Sequence, residues 1–212
     1  MDKTLKVYIC LKHVSGIPDP PIFSKPVYEI DIRSGESRVE NLTALANPAS
    51  VRYSWEREGA AVPRDRWQAR DDGSWRPDGG PLLTLNGARR SHTGWYRLTA
   101  GNGEGNTTVR VHVNVLYPPE VESISNISMV YPGEDGVIRC SVNANPMEDY
   151  MISWHREGFN LASDRVSTFT RNGTSYLTVH NATKEDIGEF LCRADNGVGQ
   201  ATATAALLVK RK

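Results

Sequence analysis

The sequence predicts an all-β protein made of two tandem β-sandwiches. Three observations carry that reading. The chain contains an internal repeat of about 96 residues, each repeat alternates apolar and polar side chains with period two, and no stretch shows a convincing helical pattern.

The repeat is legible in three blocks. Leu42-Thr-Ala-Leu-Ala-Asn47-Pro48 aligns with Cys140-Ser-Val-Asn-Ala-Asn145-Pro146. Ser54-Trp55-Glu-Arg57-Glu58-Gly59 aligns with Ser153-Trp154-His-Arg156-Glu157-Gly158. Leu83-Thr84-Leu85 through Asn102-Gly103 aligns with Leu177-Thr178-Val179 through Asn196-Gly197. The offsets are 98, 99 and 94 residues, which is the size of a whole domain. This places domain 1 at 20–116 and domain 2 at 117–209, with 1–19 as an unassigned extension. The junction Val115-Leu116-Tyr117-Pro118-Pro119 carries two prolines, which favour an extended and fairly stiff connection.

Within the repeats the runs are short. Ile138, Cys140 and Val142 alternate with Val137, Arg139 and Ser141, and Tyr150, Ile152 and Trp154 alternate with Met151, Ser153 and His155. Period two over 4–8 residues, bounded by Gly, Pro and Asn, reads as half-buried antiparallel strands. Several such strands per repeat make a sandwich.

Composition narrows the function. The 212 residues carry 25 basic and 25 acidic side chains and three cysteines. Zero net charge argues against a general nucleic-acid binder. The apolar runs fall well short of the ~18 residues a spanning helix needs. The first residues, with Lys6 and Lys12 bounding the apolar run Val7–Leu11, do not read as a signal peptide. The expectation is a piece of a longer polypeptide or a truncated gene product. The charge is unevenly placed. Residues 20–116 carry 13 basic and 11 acidic groups, a net +2, and residues 117–209 carry 6 and 12, a net −6.

No catalytic constellation emerges. The five histidines lack metal-ligand spacing, and no nucleophile elbow, phosphate loop or dinucleotide fingerprint is present. No metal, no cofactor and no enzyme activity are expected. Asp71-Asp72-Gly73 reads as a solvated loop.

In the second repeat Trp154 lies 14 residues after Cys140, and Cys192 lies 38 after Trp154. Asp186-Ile-Gly188-Glu-Phe190-Leu-Cys192 has the form of the turn entering strand F. On these residues the chain resembles two tandem immunoglobulin-superfamily domains over about residues 20–209. In flavour it is similar to the I-set or C2-like domains of nephrin- and echinoid-type adhesion receptors. Asn-Pro after strand B, Trp-x-Arg-Glu-Gly on strand C and Asn-Gly at the F–G hairpin carry the finer likeness. The resemblance implies an inter-sheet disulfide between Cys140 and Cys192, packed under Trp154. In the first repeat Leu42 and Leu98 stand at both cysteine positions, and are expected to fill the inter-sheet space against Trp55. Tyr96 keeps the corner tyrosine that Phe190 lacks. Arg165 and Asp186 are expected to pair beneath that corner, whereas His92 replaces the acid beside Arg66. The F–G stretch Gly101–Gly105 is expected to turn on the positive φ of Asn-Gly. Cys10 is the leftover thiol, either within an extension or in an intermolecular bridge.

Five Asn-x-Ser/Thr sequons, at Asn41, Asn106, Asn126, Asn172 and Asn181, exceed the roughly two expected by chance and favour a secreted glycoprotein. Alternation further predicts an outward face in domain 1 made of Arg52, Ser54, Glu56, Trp95 and Arg97. Tryptophan beside arginine is the composition of a protein-binding patch. The resemblance implies partners that are other immunoglobulin-superfamily adhesion proteins, the same or different, at the extracellular side of the plasma membrane, with a membrane-anchored parent chain. The competing reading is an intracellular structural module of a muscle filament protein.

Overall fold

The computed structural model describes residues 17–59, 75–77, 79–125 and 127–211. Cys10, Arg66, Asp71–Gly73 and Asn126 lie outside the described residues. The chain divides into two units, Met1–Val115 and Leu116–Lys212.

The first unit opens with β1 (Asp19–Ile22), β2 (Val27–Arg33), β3 (Arg38–Asn41) and β4 (Leu45–Asn47). It continues with β5 (Arg52–Arg57), β6 (Trp75–Pro77), β7 (Leu82–Leu85), β8 (Gly94–Asn102) and β9 (Gly105–Ile124). β3, β7 and β6 form one antiparallel sheet. β5, β8 and the first half of β9 form another, and β2 also pairs with β9. The apolar phase of each strand points between them. Leu42, Leu83, Leu85, Leu98, Val111 and Val113 are buried together, with Trp55 packed partly buried against them. The indole N–H of Trp55 donates to the Gly80 carbonyl at 3.0 Å. Leu42 and Leu98 thus sit where the second unit carries cysteines, each burying a side chain worth about 1.5–3 kcal/mol.

The second unit takes the end of β9 and adds β10 (Ile127–Val130), β11 (Gly136–Asn145) and β12 (Ile152–His155). Four more strands follow: β13 (Val166–Arg171), β14 (Thr174–Val179), β15 (Gly188–Asp195) and β16 (Gln200–Val209). One layer runs β13-β14-β11 onto the end of β9, and the other runs β10-β16-β15-β12 with β10 parallel to β16. Between the layers Cys140 and Cys192 are joined by a disulfide, with Cα atoms 6.4 Å apart. Trp154 is buried beside them and its indole N–H donates to Ser175 Oγ at 3.0 Å.

Two local expectations are corrected. Tyr150 does not begin the alternation of β12. It lies in a 3-10 turn, Asp149–Met151, and is 81% exposed, so the inward phase starts at Ile152. In the first F–G hairpin the positive φ falls at Gly105 and not at Gly103. Asn102 pairs with Gly105 across that hairpin, and its side chain is engaged. Its Oδ1 accepts the Glu104 N–H at 2.9 Å, and its Nδ2 donates to the carbonyls of Asp19 and Pro48. Asn196 does the same in the second unit, donating to the carbonyls of Tyr117 and Pro146. The repeated Asn-Pro and Asn-Gly motifs are therefore one device, in which the hairpin asparagine pins the first strand and the loop after strand B.

The arginine of the repeated Trp-x-Arg-Glu-Gly motif is structural in the same way. Arg57 Nη2 donates to the carbonyls of Ser91 and Thr93 and covers the Tyr96 ring, and Arg156 binds the carbonyls of Asp186 and Ile187 and covers Phe190. Tyr96 OH donates to the His92 carbonyl at 2.8 Å, which is the corner bond Phe190 cannot make.

Candidate protein-docking face

β5, β8 and β9 lie side by side, so their outward side chains form rows across the sheet. The register sets Trp95 opposite His112, Arg97 opposite Arg110, and Thr99 opposite Thr108. On the other flank Glu56 faces Arg97, Ser54 faces Thr99, and Arg52 faces Gly101. Burial follows the same phase, with Arg52, Ser54, Glu56 and Arg97 exposed and Tyr96, Leu98 and Ala100 buried.

Trp95 is half-buried, and its expected open exposure is corrected. The His112 ring stacks on it with centroids 4.6 Å apart and planes 25° from parallel. The Arg110 guanidinium carbon sits 4.0 Å from its centroid. Glu58, just past β5, holds both arginines of the next row. Its Oε1 accepts from Arg97 Nε and Arg110 Nε at 3.0 Å each, and its Oε2 from Arg110 Nη2 at 2.8 Å. These bonds, Arg110 first and Arg97 second, hold the Glu58 carboxyl below the usual glutamate range. The Glu58 N–H in turn donates to the Trp95 carbonyl at 2.8 Å. The result is an arginine-rich surface with one aromatic stack.

Glu58, Arg110 and His112 were not among the residues singled out from sequence. The signal was present, because Arg110 and His112 are out of phase with Val109, Val111 and Val113 on β9.

In the second unit the matching positions, Ser153, His155, Glu189, Leu191 and Arg193, are exposed and carry no such stack. Ser153 Oγ and His155 Nε2 lie 2.9 Å apart. At the turn before β15, Arg165 Nη2 binds Asp186 Oδ2 at 2.6 Å. Burial pushes the Asp186 carboxyl up, but the Thr183 N–H and the Arg165 guanidinium outweigh it and hold it below the usual range. His92 takes over part of this role in the first unit, its Nδ1 accepting the Arg89 N–H at 3.1 Å.

Four sequon asparagines are described, and all are exposed. Asn41 lies on β3, with Oδ1 accepting from the Thr43 N–H at 3.0 Å. Asn106 lies on β9. Asn172, in the β13–β14 turn, and Asn181 both adopt positive φ.

The two sandwiches, one bridged by cystine and one filled by leucines, have the immunoglobulin-type architecture, and among the described residues no group of acidic, histidine or cysteine side chains is fit to hold a metal. The immunoglobulin I-set domain family matches residues 119–209. Mouse nephrin is 29% identical over 178 residues, covering 80% of this chain, and the chain spans about 13% of nephrin's length. Residues 119–209 thus match the immunoglobulin I-set family, and the chain as a whole is similar in sequence to nephrin. Among solved structures, Dpr2 Ig1-Ig2 in complex with DIP-Theta Ig1-Ig3 matches with a TM-score of 0.65 at 23% identity, covering 90% of this chain and 65% of that one. A titin I-band fragment, I67-I69, matches with a TM-score of 0.59 at 19% identity, covering 92% of this chain and 67% of that one. These two likenesses are of fold alone.

Proposed function

We propose that the chain is a segment of a cell-surface adhesion or recognition protein that works by protein–protein contact and performs no catalysis. The carrying observation is the Trp95–His112 stack under Arg110, set beside the Glu58-bridged arginines on one sheet face. Tryptophan and arginine are enriched among binding hot spots, where they bring large contact area. Here the stack and the ion bridge fix those side chains before a partner arrives, which lowers the ordering cost of association. Arg52, Ser54, Glu56 and Arg97 form the polar margin. The partner is another immunoglobulin-superfamily protein, the same or different.

The extracellular reading is supported by the Cys140–Cys192 bridge, since disulfides are rare in the cytosol. The sequons and the nephrin relatives point the same way, and away from a muscle filament module. A glycosidase-sensitive mass after secretion from eukaryotic cells is expected. An unchanged mass with free thiols at Cys140 and Cys192 would contradict it.

The face is tested with Trp95→Ala, in aggregation of beads coated with the chain and in capture of a panel of immunoglobulin-superfamily ectodomains. Weakened binding with unchanged thermal unfolding is expected, and unchanged binding retires the face.

A further inference from the structure

We propose that Asn106 carries an N-linked glycan in the secreted protein, and that this glycan governs access to the docking face. The second half of this statement rests on the reading of that face given above.

Asn106-Thr107-Thr108 is a sequon at the start of β9. The register puts Asn106 opposite Gly101, in the same outward phase as Thr108, Arg110 and His112. It is therefore the first residue of the column that ends at the Trp95 stack. At about 3.4 Å per residue, Arg110 is about 14 Å along the strand and His112 about 20 Å. Gly101 supplies the space. A Cβ built on Gly101 would collide with Asn106 Oδ1, so the carboxamide lies over the outer side of the glycine. The other described sequons are elsewhere. Asn41 sits on β3, in the sheet that does not include β5, β8 or β9, and Asn172 and Asn181 belong to the second unit.

An N-linked oligosaccharide is bulky, branched and hydrophilic. Attached at Asn106, it sweeps over the Thr99–Thr108 and Arg97–Arg110 rows and competes with any protein that must lie flat on them. The chain then exists in two forms, one with the face screened and one with it open, set by occupancy of a single asparagine.

The test uses the full chain secreted from eukaryotic cells, as wild type, Asn106→Gln, Trp95→Ala and the double variant. Occupancy is read by glycopeptide mass spectrometry, and binding by the same bead and ectodomain-panel assays. Enzymatic deglycosylation of the folded wild type provides a second route that does not depend on a variant. Asn106 is expected to be occupied. Asn106→Gln and deglycosylation should each raise binding at least threefold, and Trp95→Ala should abolish that gain. An unoccupied Asn106 overturns the proposal. So does an occupied Asn106 whose removal leaves binding unchanged while Trp95→Ala still weakens it, and in that case the docking face itself stands. If Trp95→Ala changes nothing in either background, the docking reading fails and this proposal fails with it.

Discussion

Arg110 covers Trp95, with its guanidinium carbon 4.0 Å from the ring centroid, while its nitrogens are held by Glu58. One side chain thus joins the aromatic stack to the ion bridge. Arg110→Ala is expected to weaken partner binding while leaving the thermal midpoint of the first unit within a few degrees. Arg110→Lys should fall between, because an ammonium keeps the charge but not the planar fork. Equal binding by all three proteins would show that the arginine takes no part.

Leu98 is fully buried where the second unit has Cys192. Leu98→Ala leaves a cavity, and a loss of about 2–5 kcal/mol is expected from denaturant unfolding. That is a large share of the stability of a domain this size. A loss below about 1 kcal/mol would mean that the two leucines do not replace the bridge.

The Cys140–Cys192 bridge closes a loop with a sequence separation of 52 residues. On the chain-entropy account its loss costs about 4 kcal/mol. Reductant added during calorimetry of the whole chain should lower one unfolding transition, that of the second unit, and leave the first in place. Equal movement of both transitions would contradict the assignment.

Asp186 binds Arg165 and the Thr183 N–H, and its carboxyl is held below the ordinary range. A depressed folded pKa contributes stability that is complete above the unfolded value of about 3.9 and is lost as pH falls through the folded one. The second unit should therefore lose stability below about pH 4. Asp186→Asn should be less stable at neutral pH and flatter in its acid dependence. A variant with the wild-type acid profile would place the dependence on other carboxylates.

Much of this was legible in the sequence because strands write their two faces in alternate letters. Leu42, Leu98 and Trp55 read as core because they align with Cys140, Cys192 and Trp154, and phase then puts Arg97 and Glu56 on the surface. What phase cannot give is which long side chain reaches which neighbour. Trp95 reads as exposed, yet an arginine on the next strand lies over it. Asn102 reads as a turn residue, yet its amide ties β1 to the loop after β4, which are distant from it in sequence. Tyr150 fits the alternation of β12, yet a 3-10 turn before the strand breaks the phase. The first two depend on how strands and loops meet in space, and the third on a local turn, none of which alternation states.

The account turns on whether the Trp95 face binds protein. The direct measurement is the affinity of the chain for a captured ectodomain, or for itself, with Trp95 intact and as Trp95→Ala. The truncation is expected to weaken binding by 2 kcal/mol or more, as for a hot-spot residue, or about thirtyfold. Identical affinities from two equally folded proteins would contradict it.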